Sequence, residues 1–343
     1  MNGLLKLEIA VLLILVLVAG YVRIGVIDAK DEILPTTPPD LLQTTPSTEP
    51  TIPTEPTTMP TLPPTEPAPM PDFTEGLTLQ SPTYFVFDCE SETVLANSVD
   101  LHKKIYPASI TKLFTAYVAL QYLEPDRVLK LGQEVNLVPS DSSLAYLKKN
   151  QTISVAYLVE AMMLRSGADA AYALAVATAR EASGNSQMTI SAALKYFVTM
   201  MNEEAQEQGM YGTHFVNADG YHDPDHYSTP ADLITIGQLA LENDLICKYA
   251  ATVSERVKYS NGDIAVWRNT NDLVDEESSY YHPNAIGLKT GHTGAAGFCL
   301  MAAFELDGEY VLIGSFGSSQ PESRYLDSLA IFERFQEWKA EEP

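Results

Sequence analysis

Three short stretches of the chain carry the side chains that acyl transfer through a serine requires. They are Ser109-Ile-Thr-Lys112, Ser166-Gly-Ala168 and Lys289-Thr-Gly291, in that order. The first supplies a hydroxyl and an amine that can accept its proton. The middle one supplies a second hydroxyl, and the last supplies a cation that can hold a carboxylate. The chemistry therefore depends on whether the fold brings the three together.

The first stretch is placed by an apolar run, Ile110–Leu120, whose spacing predicts a helix over 109–123. Ser109 and Lys112 then lie one turn apart on the same helix face. The amine can act as a base only if burial, or a second cation such as Lys289, lowers its pKa from about 10.4. The helix start also offers N–H groups to an oxyanion. A Ser-x-x-Lys occurs about once by chance in a chain this long, so alone it is weak evidence.

The last stretch is the end of a predicted strand that leads into a Gly-rich segment and a further strand, 297–306. Gly291 would leave room for a substrate backbone to lie along the strand. The alternative is a Gly-rich hairpin that carries a lysine by chance.

The residues around these stretches resemble the D-alanyl-D-alanine carboxypeptidases, the low-molecular-mass penicillin-binding proteins. The resemblance extends from about residue 80 to 335 and rests on several ordered segments: Pro107–Ala116, Leu164–Ala171, Gly212–Asn217, His226–Thr229, Asn269–Asn271 and Gly287–Gly297. It implies a β-lactamase/transpeptidase-like fold and a serine hydrolase that needs no cofactor and no metal.

The resemblance implies roles for three catalytic residues. Ser109 would attack the carbonyl between two D-alanines and form an acyl-enzyme, with Lys112 as the general base. Ser166 would relay the proton to the leaving D-alanine. Water would then release the shortened peptidoglycan stem peptide. Penicillins mimic the D-Ala-D-Ala end and should acylate Ser109 as well.

The resemblance also implies a substrate-binding strand. Lys289 and Thr290 would hold the terminal carboxylate, and Gly291 would lie beside the substrate. The backbone N–H groups of Ser109 and His292 would form the oxyanion hole.

One residue departs from the family pattern. Where the family usually has asparagine two residues after the serine, this chain has Ala168. Alanine cannot bind the substrate's peptide group or support the lysine. Asp169 is adjacent, but on a helix its side chain would point about 100° away. We therefore expect slower or differently tuned chemistry. Two alternatives remain open: a penicillin-binding or wall-binding sensor with little turnover, and a β-lactamase.

The N-terminal region is expected to export and tether the protein. Residues 1–30 are predicted to be a signal-anchor or a signal peptide, since residues 9–22 carry no charge and stand between Lys6 and Arg23. Residues 31–75 are rich in Pro and Thr and are predicted to be a disordered linker. Residues 76–340 form the predicted catalytic domain. The expected location is outside the cytoplasm, at the cell wall, membrane-tethered or secreted if the signal is cleaved. Many relatives end in a membrane-binding helix, and here the N-terminal segment is expected to replace it.

The predicted fold class is α+β, an antiparallel sheet with packed helices and an inserted helical subdomain. The predicted strands are Thr83–Asp88, 93–96, 252–258, 263–268, 284–290, 297–306 and 309–316, and the predicted helices are 109–123, 155–164, 168–181, 187–209, 231–243 and 322–338.

Other features narrow the possible functions. The net charge of −24 argues against nucleic acid as a partner. The three cysteines, Cys89, Cys247 and Cys299, are an odd number and are predicted to be free thiols. His222-Asp-Pro-Asp-His226 lacks a helical frame for metal ligands, so a loop is predicted there.

Overall fold

The computed structural model describes residues 73–259 and 262–341. Within these residues, a five-stranded antiparallel sheet has the strand order β2-β1-β9-β8-β7. Two small sheets pair β3 with β4 and β5 with β6. The strands are β1 Thr83–Asp88, β2 Thr93–Asn97, β3 Val128–Lys130, β4 Thr152–Ser154, β5 Ser254–Lys258, β6 Ile264–Arg268, β7 Ala285–Thr293, β8 Gly297–Leu306 and β9 Glu309–Ser318.

Several helices begin at a side chain that caps their free N–H groups. Ser154, Thr189, Thr229 and Asn243 each accept a hydrogen bond from the first turn of the helix that follows. The helices of the described residues are α1 Thr111–Leu120, α2 Val155–Arg165, α3 Ala168–Ala182, α4 Ile190–Glu207, α5 Pro230–Leu241, α6 Asp244–Ala251 and α7 Ser323–Glu341.

Both faces of the main sheet are buried. Phe304 of β8 points to α7 and stacks on Phe332 with ring centroids 4.2 Å apart. Met301, three residues earlier on the same strand, lies on the opposite face and belongs to the larger core formed with α1 and the other helices. Alternate residues of a strand face opposite sides of the sheet. Because both sides are buried here, the sequence of β8 is a nearly continuous apolar run. Strand β7 is one of the two edge strands of the sheet; it packs against the residues that precede α1 and forms one wall of the cleft described below.

The predicted α+β class is confirmed, and most predicted elements are found within a few residues of their expected bounds. The helix predicted from residue 109 instead starts as a 3₁₀ turn, Ala108–Ile110, before α1. Helix α6 was not predicted, because Asn243 reads as the end of α5, whereas its side chain caps a new helix. Strands β5 and β6 form a hairpin of their own rather than joining the main sheet.

The N-terminal predictions, the signal segment and most of the linker, lie outside the described residues. Phe73, placed in the predicted linker, is buried against the ring of Trp338. In the described ranges no helix has the length and apolar character of a membrane span, and no cluster of potential ligands fits a metal ion. The three cysteines are free thiols, as predicted, and Cys299 is fully buried.

Candidate active site

Ser109 lies in a cleft of about 490 Å³, whose walls come from β7, the start of α1 and the link between α2 and α3. The residue belongs to the 3₁₀ turn that leads into α1, and Lys112 lies in the first turn of the helix. The tighter turn keeps the two side chains together. Lys112 Nζ is 2.9 Å from Ser109 Oγ, within hydrogen-bond distance.

Lys112 is part of the cleft lining but is almost wholly buried, with 2% of the residue exposed. Burial lowers its pKa to about 8, while the nearby carboxylates of Asp219 and Asp169 act in the opposite direction. Its Nζ also donates to the backbone carbonyl of Asp219. A substantial fraction of such an amine is neutral near pH 8, so it can take the proton of Ser109. Of the two causes predicted from the sequence, burial is the one that lowers the pKa, and Lys289 is not among the charges that shift it.

Ser166 reaches the same cleft from the link between α2 and α3. It ends α2 in the left-handed conformation, with φ 54°, and Gly167 connects it to the first residue of α3. A left-handed residue at a helix end turns the chain sharply. The turn places the Ser166 side chain among the lining residues, although the residue is largely buried.

Ala168 also lines the cleft, and Asp169 does not replace the amide that the family pattern has here. The Asp169 carboxylate accepts backbone N–H bonds from Ala145 at 3.0 Å and Leu147 at 2.9 Å. These bonds turn it away from the cleft, as its helical position predicts. The N–H of Ala168 donates to the Ser143 carbonyl at 2.8 Å, which joins the cleft wall to this helix start.

Lys289 lies below the cleft rather than in its lining. The residue is fully buried, and its Nζ donates to the Thr290 carbonyl at 3.1 Å. Gly287 and Leu288 have positive φ at a bulge in β7 immediately before it. Burial, followed by repulsion from Lys112 and Arg324, holds the pKa of Lys289 well below its usual range. Direct contact between this amine and a substrate carboxylate stays a prediction.

The next three residues of β7 do line the cleft. Thr290 Oγ1 is 2.6 Å from Thr270 Oγ1, which fixes the orientation of the hydroxyl. A Cβ on Gly291 would lie 3.1 Å from the Ser109 nitrogen, so glycine lets the strand approach the nucleophile's backbone. The sequence analysis explained the glycine at position 291 by room for a substrate; its close approach to the Ser109 backbone is a second reason. The exposed His292 ring stacks on Phe298, with centroids 4.2 Å apart.

Arg324 lines the cleft and was missed by the sequence reasoning. Its guanidinium donates to the Gly291 and Cys299 carbonyls at 3.3 Å and lies over the Phe298 ring. Its Nε is buried and has no hydrogen-bond partner among the described residues. The one sequence signal is weak: Arg324 is a cation in the first turn of α7, where the helix dipole disfavours positive charge.

Comparisons with known proteins identify the family of the chain. The family model of the D-alanyl-D-alanine carboxypeptidases, peptidase S11, matches residues 69–314. The D-alanyl-D-alanine carboxypeptidase of Streptomyces sp. (strain K15) is 32% identical over 232 residues, which cover 65% of this chain and 76% of that protein. D-alanyl-D-alanine carboxypeptidase DacF of Bacillus subtilis (strain 168) is 26% identical over 256 residues, 73% of this chain and 61% of that protein.

A solved structure gives the same result for the fold. The crystal structure of the Streptomyces K15 DD-transpeptidase matches with a TM-score of 0.68 and 29% identity, covering 75% of this chain and 97% of that chain. The family match spans more than half of the chain and includes all three motif stretches. The chain therefore belongs to the D-alanyl-D-alanine carboxypeptidase family, peptidase S11.

Proposed function

We propose that the protein is a serine-type D-alanyl-D-alanine carboxypeptidase that removes the terminal D-alanine of peptidoglycan stem peptides through an acyl-enzyme at Ser109. The observation that carries the proposal is the 2.9 Å contact between Lys112 Nζ and Ser109 Oγ. A buried amine beside a serine hydroxyl in an open cleft is the arrangement that activates the hydroxyl as a nucleophile. Family membership supports the substrate class.

Acylation starts from the neutral Lys112 amine. It takes the proton of Ser109 Oγ as the oxygen attacks the carbonyl carbon between the two D-alanines. The N–H groups of Ser109 and His292 are the proposed donors to the oxyanion. The C–N bond then breaks, and the leaving nitrogen receives a proton relayed through Ser166. An ester on Ser109 and free D-alanine result.

Deacylation reverses the proton movements. A water loses a proton to Lys112 and adds to the ester carbonyl. The bond to Ser109 Oγ breaks, the oxygen recovers a proton, and the shortened peptide leaves. A β-lactam would form the same ester with Ser109, since its ring amide takes the place of the D-Ala-D-Ala bond.

Arg324 and Thr290 are the proposed contacts for the substrate's terminal carboxylate. Both line the cleft, and the Arg324 guanidinium lies beside the β7 carbonyl of Gly291. A guanidinium binds a carboxylate through two parallel hydrogen bonds. Lys289, directly below, adds positive charge whenever the bound anion favours its protonated form.

Ala168 supports a second candidate, a penicillin-binding sensor with little turnover. It lines the cleft where the family pattern has an amide, and Asp169 is committed to Ala145 and Leu147. A β-lactamase has less support. Of the described residues that line the cleft none is a glutamate, and its carboxylates are Asp141, which accepts from Tyr221, and the buried Asp219.

The domain is proposed to work outside the cytoplasm, tethered to the membrane by its N-terminal segment. The uncharged residues 9–22 between Lys6 and Arg23 support this, as does the Pro- and Thr-rich stretch 35–72. Fractionation of expressing cells, followed by protease treatment of intact protoplasts, tests both parts. A protein in the soluble cytoplasmic fraction would contradict them.

The decisive experiment measures D-alanine release from diacetyl-Lys-D-Ala-D-Ala, in parallel with labelling by a fluorescent penicillin. The wild type should do both, and Ser109→Ala should do neither. Ser143→Ala is the matched control. Ser143 lines the same cleft, and the hydrogen bond that it forms to Ala168 comes from its backbone carbonyl, which the substitution keeps. Label without D-alanine release supports the sensor, rapid loss of label supports a β-lactamase, and no label on the wild type contradicts an acyl-enzyme.

A further inference from the structure

Ala108, directly before Ser109, has an unusual backbone conformation. Its φ of 49° lies in the left-handed region, which residues with a Cβ rarely adopt. Such a conformation persists only where the surrounding structure holds it. The contacts that hold Ala108 therefore also set the position of the Ser109 backbone.

Two glycines enclose Ala108 closely. A Cβ on Gly220 would lie 1.9 Å from the Ala108 carbonyl oxygen, and a Cβ on Gly291 would lie 3.0 Å from the Ala108 Cβ. Gly220 directly follows Asp219, whose carbonyl binds Lys112. The loop that reaches the Lys112 amine thus also packs against the residue before the nucleophile.

A chain of hydrogen bonds ends on the same Ala108 carbonyl. The Thr111 hydroxyl donates to it at 2.8 Å, and Thr111 Oγ1 lies 2.9 Å from His226 Nε2. The backbone N–H of Val216 donates to His226 Nδ1 at 3.3 Å. Since Nδ1 accepts, the imidazole proton is on Nε2 and is donated to Thr111 Oγ1. Every bond then has one direction, from Val216 to Ala108.

The hydrogen-bonded residues Thr111 and His226 are shielded from water. Thr111 is fully buried and His226 is 2% exposed. Burial lowers the pKa of His226 to about 3. The imidazole therefore stays neutral at physiological pH, and Nδ1 remains an acceptor for Val216.

We infer that His226 and Thr111 are positioning residues, which hold Ala108 in its left-handed conformation and so keep Ser109 Oγ within reach of Lys112. The inference rests on the proposed function, because it concerns the nucleophile of that reaction. Neither side chain lines the cleft, so both act through Ala108 rather than on the substrate.

Paired threonine variants test the inference. Thr111→Val keeps the shape but removes the hydroxyl, and Thr111→Ser keeps the hydroxyl. Because a small displacement of reacting groups costs up to about a hundredfold, we expect Thr111→Val to lower the penicillin acylation rate constant roughly tenfold to hundredfold. The loss should appear in kcat for D-alanine release with KM nearly unchanged, and Thr111→Ser should restore the rate.

Thr178→Val is the matched control for a general loss of stability. Thr178 is an equally buried threonine, whose hydroxyl donates to the Leu174 carbonyl within α3 at 2.8 Å. Its unfolding temperature should fall as in Thr111→Val, but its acylation rate should not. The inference is wrong if Thr111→Val acylates like the wild type, if Thr111→Ser is equally slow, or if Thr178→Val loses the same factor.

Histidine NMR decides the inference independently of activity. With ¹⁵N-labelled histidine, His226 should appear as the neutral, Nε2-protonated tautomer, and its ring proton should exchange faster with water in Thr111→Val. An Nδ1-protonated ring, or unchanged exchange in the variant, would overturn the inference. If the wild type takes no penicillin label, the proposed function is wrong. The histidine spectrum then still tests whether His226 and Thr111 are hydrogen-bonded as described.

Discussion

Two buried lysines belong to the site, Lys112 in the cleft lining and Lys289 outside it, and their surroundings differ. Lys112 lies between Ser109 Oγ and the Asp219 carbonyl, with two carboxylates near enough to raise its pKa. Lys289 donates to the carbonyl of the next residue, and its largest electrostatic neighbours are cations, Lys112 and Arg324. The two lysines are buried to a similar extent, so the difference between their pKa values comes from the neighbouring charges.

This difference suits Lys112 to act as a base and Lys289 to become charged when an anion binds. With a pKa of about 8, Lys112 exchanges its proton near working pH, as a general base must. Burial and the neighbouring cations hold the pKa of Lys289 well below its usual range, and a bound anion would favour its protonated form. This contrast supports Lys112 as the proposed general base and leaves Lys289 as the lysine whose charge would respond to a bound anion.

Removing each amine in turn gives the largest expected contrast. Lys112→Met removes the base, and we expect acylation by penicillin to fall by about 10²- to 10⁴-fold. Lys289→Met should cost only about tenfold. Its stability should fall little, because methionine keeps most of the side-chain volume and removes an amine whose charged form burial and neighbouring cations already disfavour. Labelling rates and thermal unfolding measure both effects, and equal losses in the two variants would contradict the assignment.

The pH profile is the next largest effect. The base must be neutral, so the acylation rate should rise about tenfold per pH unit below pH 8 and level off above it. If Lys289 is uncharged in the free enzyme, Lys289→Met should keep the midpoint near pH 8. A midpoint that moves toward 10 in this variant would mean that a charged Lys289 lowers the pKa of Lys112.

Local patterns were enough to predict the parts of the site that one element contains. Ser109 and Lys112 share one helix start, and the direction of Asp169 follows from its place at the start of α3. The alternating and helical apolar patterns likewise predicted the main strands and the helices beneath them. In each case neighbours in the sequence are also neighbours in space.

The parts that were not predicted depend on contacts between distant segments. Arg324 enters the cleft because α7 packs on β8 and β9, which no local pattern records. The burial of Lys289 depends on the bulge at Gly287 and on the helices covering that face of β7. The Ala108 conformation depends on Gly220, more than a hundred residues away.

Arg324→Leu tests which cation meets the substrate's carboxylate. A hydrogen bond to a charged group contributes about 1.5–3 kcal/mol, so kcat/KM for the acyl-D-Ala-D-Ala peptide should fall roughly tenfold to hundredfold. The same peptide with a C-terminal amide serves as the control, since it lacks the charge and should react alike with both enzymes. A greater loss in Lys289→Met than in Arg324→Leu would transfer the carboxylate contact to Lys289.

Ala168→Asn has the smallest expected effect and probes the wall of the cleft nearest Ser166. Ser142 Oγ is buried there without a partner among the described residues, and the neighbouring Ser143 carbonyl already holds the Ala168 N–H. We expect the restored amide to bind the substrate's peptide group. One net hydrogen bond of about 1 kcal/mol predicts an acylation rate roughly fivefold higher.

Ala168→Leu separates the amide from its bulk, since leucine has the same branching as asparagine, a larger volume and no polar atom. It should lower the rate or leave it unchanged. If Ala168→Asn also fails to raise the rate, the cleft is built around alanine. Slow turnover would then be a property of the whole wall rather than of one missing amide, because the Asp169 carboxylate and the backbone of Ala145 and Leu147 hold that wall in place.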